Sequence, residues 1–270
     1  LTVCQALSEK ARSMAPHVRV VQIEDFPLES SARPDLSLVG RLRADYGLSN
    51  KQVIVYTGNF ESYQGIDLLL EAFALLCSAD GSEPAARPML LLVGGGDDEA
   101  PLVQRYREKA RMLGVSSSVI FAGQQPPEHM GSFMSLADVL ASPRIVGGNT
   151  PLKVYSYMAA ERPVVATAIS SHRQVLDEST CYLAAPAPGE FSQALRRALA
   201  DRRERSIEGT KRVQQAKSLV DSRFSEGAFR QRLKQLYRSL LRAEIASDDL
   251  PLPATATSGP VLEERRASNK

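Results

Sequence analysis

Two glycines, a Thr-Pro pair and two cations stand close together within residues 139–167, VLASPRIVGGNTPLKVYSYMAAERPVVAT, and the chemistry they suit is anion binding. The segment reads as a buried strand (Val139–Ser142), a loop with Gly147, Gly148 and Asn149, a helix, and a second buried strand (Val164–Thr167). Thr150 is expected as the N-cap of that helix and Pro151 as its first residue, where a missing N–H would be unpaired anyway. A helix start presents free N–H groups and the positive end of its dipole, so a phosphate or a carboxylate is the ligand it favours. Lys153, one turn into the helix, and Arg144, at the end of the preceding strand, add full positive charges.

The elements that must position this segment have the same design. Residues 51–56 read as a strand that runs into Gly58, Asn59 and, five residues further on, Gln64-Gly65. The strand Met89–Val93 runs into Gly94-Gly95-Gly96, and a strand over 119–122 runs into Gly123-Gln124-Gln125. Between them lie a helix over 66–77, with Leu68, Leu69, Ala72, Phe73 and Leu76 at core spacing, one from Asp97-Asp98-Glu99 to about residue 113, and one over 128–136. Strands apolar enough to be covered on both faces, alternating with helices, predict an α/β fold: a Rossmann-like, three-layer α/β/α open parallel sheet. Ligands in such sheets bind beyond the carboxyl ends of the strands. Gly58, Gly94, Gly123 and Arg144 all fall there, which predicts one binding edge. The Gly94 triplet is not a dinucleotide fingerprint, because a third glycine would have to replace Glu99 and an acidic first turn repels phosphate.

The flanks carry less chemistry. Residues 1–15 have a helical period with Val3, Leu7 and Met14 near one face, residues 17–23 read as a strand, and residues 36–46 as a helix closed by Gly47. After Thr167 come a short helix over 170–176, a strand over 181–184, and a helix over 190–201 that turns Phe191, Leu195 and Leu199 inward. A long helical region over 202–245 is interrupted near 222–225, and Phe229, Leu233, Leu236, Tyr237 and Leu240 share one of its faces. Residues 246–270 are rich in Pro, Ser, Thr and charge, the composition of a disordered tail. His129 is expected as a surface residue, and neither His17 nor His172 has an evident partner in the sequence.

With 33 Lys and Arg against 31 Asp and Glu, the balance of charge is too even for a nucleic-acid partner. Cys4, Cys77 and Cys181 are odd in number and far apart, which argues against a disulfide framework or a zinc site and fits a reducing cytosol, so a cytoplasmic location is expected. There is no apolar run near the length of a membrane span, and no amphipathic basic helix that predicts membrane association. The chain opens on Leu1 rather than Met, so a longer protein is expected.

The 139–167 segment resembles the donor-sugar signature of the family 4 glycosyltransferases, the glycosyl transferases group 1. The tail of that signature, Tyr157-Met158-Ala159-Ala160 followed by Pro163-Val164-Val165-Ala166-Thr167, matches closely, whereas its two glutamates fall on Gly148 and Ser156. The family's two phosphate-binding cations, from a Gly-Arg and a Lys-Gly pair, fall on Asn59 and Gln64. The likeness covers residues 1–245. It implies the C-terminal, donor-binding domain of a GT-B fold over 29–245, preceded at 1–28 by the end of a truncated N-terminal domain and its linker. It further implies a metal-independent glycosyltransferase that binds a nucleoside diphosphate sugar and passes the sugar to an acceptor with retention. Lys153 and Arg144 would then be catalytic, meeting charge on the leaving diphosphate. The donor would be held by Gly58, Asn59, Gln64, Gly65, Gly94, Gly123, Gln124, Gly148, Asn149, Thr150, Pro151, Leu152 and Ser156. Two further readings stand beside this one: a binding or scaffold module that has lost catalysis, and, more weakly, a GT-B-like epimerase.

Overall fold

The computed structural model describes residues 1–27, 34–79, 87–97 and 100–248. Contacts gather Leu1–Gln231 into one compact unit, and the chain from Arg232 forms a second. The first unit is built on a six-stranded sheet: β1 (Val53–Thr57), β2 (Met89–Val93), β3 (Val119–Gly123), β4 (Val139–Ser142), β5 (Val164–Thr167) and β6 (Tyr182–Ala184). All its pairs are parallel and the spatial order is β3-β2-β1-β4-β5-β6. The order reverses between β1 and β4, so the loops leaving these two strands diverge and open a crevice at their carboxyl ends.

Alternation along the strands sends side chains into two cores. Ile54, Tyr56, Leu90, Leu92, Val139, Ala141 and Val165 face one side, under α3 (Ile66–Ala79), α4 (Pro101–Met112) and α8 (Pro188–Glu204). Val53, Val55, Leu91, Val93, Leu140, Val164 and Ala166 face the other, under α5 (Met130–Ser135), α6 (Leu152–Ala159) and α9 (Ile207–Arg223). β1 is buried along its whole length, as a central parallel strand must be. The three-layer α/β/α arrangement expected from the sequence is therefore the one present.

Three expectations for the flanks are corrected. The first helix, α1 (Gln5–Met14), buries Ser8 while Leu7 and Met14 lie exposed, because hydroxyl contacts dock it: Ser8 meets Thr2, Gln22 and the Cys4 carbonyl. Residues 17–23 form no strand; a single bridge joins Gln22 to Thr2. The acidic run does not open a helix either. Asp97 lies in a bend, 98 and 99 lie outside the described residues, and α4 starts at Pro101 with Ala100 as its cap.

The short helix after β5, α7, spans Ser170–Arg173. The helix before β1, α2 (Leu36–Asp45), is capped by Asp35, which accepts from Ser37 and Leu38. The long helical region breaks twice, at Arg205 in the left-handed conformation and at Phe224-Ser225, before α10 (Glu226–Asp248). On α10, Tyr237 and Leu240, two of the residues expected to share an apolar face, are exposed, and so is Leu241. The tail lies outside the described residues beyond 248.

Candidate functional site

Gly58 follows β1 directly with φ +137, a conformation that an L side chain rarely adopts, and its amide donates to Val93 at 2.9 Å. Gly94 continues the line: its amide donates to the Gly123 carbonyl at 2.8 Å, and a methyl group on it would lie 2.1 Å from the Gly58 carbonyl. One strand further out, the Gln124 amide donates to Gly96 at 3.0 Å. The exits of β1, β2 and β3 are thus stitched into one continuous backbone edge, and Gly58, Gly94, Gly123 and Gln124 all belong to it. On the β4 side the Ile145 amide donates to Tyr63 at 3.0 Å, and a Cβ on Gly65 would stand 2.0 Å from the Pro143 carbonyl. Only glycine lets the β1 and β4 loops approach so closely.

Lys153 projects from the first turn of α6 across this crevice. Its ammonium donates to Gln64 Oε1 at 3.2 Å and sits 4.0 Å from the centre of the Tyr56 ring, an ammonium over a π face. A Cβ at Gly58 would lie 2.7 Å from Nζ, so the glycine makes room for the cation. Burial first, and the Arg144 guanidinium second, push the Lys153 pKa down to about 7. Tyr56 is fixed in turn by donating its hydroxyl to the Asn59 carbonyl at 2.6 Å. The Asn59 side chain itself points to solvent.

Arg144 is buried and organises its own loop. Its Nε donates to Val146 at 2.8 Å and its Nη2 to Asn149 Oδ1 at 3.0 Å, and the guanidinium stacks 5.2 Å from the Tyr63 ring centre. Gly147, at φ +147, leaves the space that the guanidinium fills. Gly148 has open space where a side chain would stand, and its carbonyl accepts from Gln174 Nε2 at 2.9 Å.

The capping expectation is corrected here. α6 begins at Leu152, and Pro151, at φ −69 and ψ 129, occupies the cap position. Thr150 Oγ1 does not cap the helix: it is buried beside the Tyr155 hydroxyl. Proline at the cap displaces threonine by one place, so its side chain points inward, away from the free amides. Leu152 and Ser156 lie on the exposed and half-buried flank of the same helix.

Sequence reasoning missed the support beneath the loop, and its reading of His172 as unpartnered is overturned. His172 is fully buried, with Nε2 2.9 Å from Ser142 Oγ and Nδ1 2.8 Å from the Thr167 carbonyl. Burial holds its pKa down to about 4, so the ring is neutral. Nδ1–H then donates to Thr167, Nε2 accepts from Ser142, and the Thr167 hydroxyl donates to the Arg144 carbonyl. The ring ties the ends of β4 and β5 together and fixes the backbone of Arg144. Polar residues closing otherwise apolar strands, Ser142 and Thr167, were the available signal. Tyr157 does the same for β1, its hydroxyl accepting from the Thr57 amide at 2.8 Å.

A parallel sheet whose strand order reverses between β1 and β4, covered by helices on both faces, defines a Rossmann-like α/β domain. Comparison with known proteins agrees. A family model described as glycosyl transferases group 1 matches residues 51–201, and the chain belongs to that family. Among its relatives is the D-inositol 3-phosphate glycosyltransferase of Corynebacterium aurimucosum, 27% identical over 76% of this chain and 47% of that protein. Another is the lipopolysaccharide 1,2-N-acetylglucosaminetransferase of Salmonella typhimurium, 31% identical over 68% of this chain and 47% of that one. The chain spans about half the length of these curated relatives.

Solved structures share the fold. A glycosyltransferase from Rickettsia africae superposes with a TM-score of 0.74 at 17% identity, covering 88% of this chain and 62% of that one. Anabaena HepE in complex with UDP superposes with a TM-score of 0.73 at 17% identity, covering 88% and 63%. Both superpositions show the α/β fold described above to be shared with glycosyltransferase structures. Among the described residues no helix is long and apolar enough to cross a membrane.

Proposed function

We propose that this chain is the donor-binding part of a cytoplasmic, metal-independent glycosyltransferase that takes a nucleoside diphosphate sugar and transfers the sugar with retention. The observation that carries the reading is the placement of Lys153 Nζ against Gly58 at the reversal point of the sheet. As the glycosidic bond to the diphosphate breaks, negative charge grows on the leaving oxygens, and fixed donors that meet it lower the barrier. Lys153 supplies a full charge, the open amides at the start of α6 supply dipoles, and Arg144 holds the loop and lends its field. Asn59, Gln64 and Gly65 line the β1 wall, Gly94, Gly123 and Gln124 offer backbone to the nucleoside, and Gly148 to Ser156 face the sugar. The complex of HepE with UDP supports the nucleotide part of this assignment.

The chain would be completed by an N-terminal domain whose end is 1–28, packed across the mouth of the crevice. Ile145, Val146 and Leu152 are exposed at that mouth, as residues facing a second domain would be. Acceptor contacts would come mainly from that domain.

One observation favours a second reading, a nucleotide-sugar-binding module without catalysis: both cations already have partners within the chain, Gln64 for Lys153 and Asn149 for Arg144. An in-frame Gly-rich strand-loop-helix region upstream of Leu1 would favour the enzyme, and a stop codon there the module.

Thermal-shift titration with UDP, GDP and ADP, each also as its sugar conjugate, tests the donor assignment. One nucleotide should raise the melting temperature in proportion to about RT ln(1 + [L]/Kd), about 2.7 kcal/mol at a hundredfold excess over Kd. Lys153→Ala should abolish the shift. A shift that survives Lys153→Ala would place the phosphates elsewhere.

A further inference from the structure

A second recess opens at the opposite, amino-terminal edge of the sheet, where α6 hands over to β5. It holds about 290 Å³ and is walled by Glu161 and Arg162 from that turn, by Asp201, Arg202 and Arg205 from the end of α8, and by Thr210 from the first turn of α9. Its volume equals about ten waters at about 30 Å³ each, room for a phosphate group with a small body attached.

Three guanidinium groups meet here, and their pairing is incomplete. Arg162 donates from Nη1 to the Glu161 carbonyl at 3.3 Å and from Nη2 to the Ser135 carbonyl at 3.2 Å, while its Nε is buried without a hydrogen-bond partner. Burial and the neighbouring Arg202 both press its pKa downward. Arg202 reaches Asp138 only at 3.9 Å. Arg205 ends α8 at φ 52 with its backbone N–H donating to the Asp201 carbonyl, and its guanidinium makes no hydrogen bond or ion pair among the described residues. Of the two carboxylates on the wall, Asp201 is already engaged by the Tyr182 hydroxyl at 2.7 Å. The first turn of α9, capped by Ser206, turns the positive end of a helix dipole to the same space. Planar guanidinium forks are the side chains best matched to phosphate oxygens, and an anion among them would relieve the repulsion between Arg162 and Arg202.

We propose that this recess binds a small phosphate-bearing molecule through Arg162, Arg202 and Arg205, as a site separate from the donor crevice. It stands independently of the donor assignment, since none of its residues lines that crevice. The two places are joined by α6, which carries Lys153 in its first turn and leads into Arg162 just past its end.

Titration calorimetry with inorganic phosphate at constant ionic strength tests the site on the 270-residue chain. Saturable binding is expected, with a component that the double variant Arg202→Ala/Arg205→Ala weakens at least tenfold and that persists in Lys153→Ala, which removes only phosphate bound at the donor edge. Both arginines are exposed, so the double variant should melt near the wild type without phosphate. Thr210→Glu, which sets a carboxylate at the rim and leaves the arginines in place, should weaken binding to a similar degree. A non-saturable response overturns the proposal. So does binding that Lys153→Ala abolishes and the arginine variant retains, which would assign the phosphate to the donor edge.

Discussion

At pH 6 Lys153 is an ammonium set between the Tyr56 ring and Gln64, and above its depressed pKa of about 7 it gives up its proton. Burial and Arg144 disfavour the charged form in the free protein, whereas a diphosphate beside it would favour that form. Binding of a nucleoside diphosphate sugar, whose diphosphate has no proton to exchange near neutral pH, should therefore take up a proton at pH 8 and not at pH 6. Calorimetry in two buffers of different ionisation enthalpy reads this directly: the apparent binding enthalpy should depend on the buffer at pH 8 and not at pH 6. Affinity should fall as pH rises from about 7, because more of the free protein must be protonated first. A buffer-independent enthalpy at pH 8 would remove Lys153 from contact with the phosphates. Gln64 bears on the same balance, since its carbonyl oxygen stabilises the ammonium without adding the second positive charge that a lysine would bring.

At the scale of elements, the crevice beyond the strands depends on two strand ends being held at a fixed separation, and His172 is the brace. Its pKa lies at about 4, below the ordinary 6.5, so the folded state prefers the neutral ring. The contribution is complete above pH 6.5. It is lost as pH falls from there towards 4, because the unfolded chain takes up the proton first. At about 1.4 kcal/mol per pH unit the loss reaches about 3 kcal/mol. Urea unfolding of wild type and His172→Gln should therefore differ most near pH 7, and the difference should shrink towards pH 4. A difference that stays constant over that range would mean that His172 is not the titrating brace. Above the brace, α6 is steadied by Tyr155 packing on Phe224 at 4.9 Å between ring centres, so the cation-bearing helix leans on the end of α9.

At the scale of the whole molecule, the mouth of the crevice is apolar as well as cationic, with Ile145, Val146 and Leu152 exposed beside Arg144 and Lys153. Burying apolar surface is worth about 25 cal/mol per Å², so a mouth of this composition is poorly satisfied by water alone. In a longer polypeptide that includes the N-terminal domain, amide exchange over 144–152 should be slower than in this chain alone. Equal exchange in the two would mean that the domain packs elsewhere, and acceptor access would have to be drawn differently.

Local sequence is enough to place the sheet and the glycines at its strand exits. Strand positions follow from runs such as VIVYT and MLLLV, whose every residue is apolar or strand-forming and buried or nearly so, and glycine at the exits marks where backbone must come close. These signals are set by periodicity and by the absence of a Cβ. The partners that stabilise the site came from the tertiary fold. Ser142, Thr167 and His172 are brought into one network only by the pairing of β4 with β5. The Thr150 hydroxyl turns inward only because Pro151 takes the cap. Lys153 loses affinity for its proton only because the fold buries it and sets the Arg144 guanidinium, from the loop after another strand, close to it. Hydrogen bonds and charge interactions fall off within a few ångströms, so residues 30 to 100 places apart reveal their coupling only once the fold has set their distances.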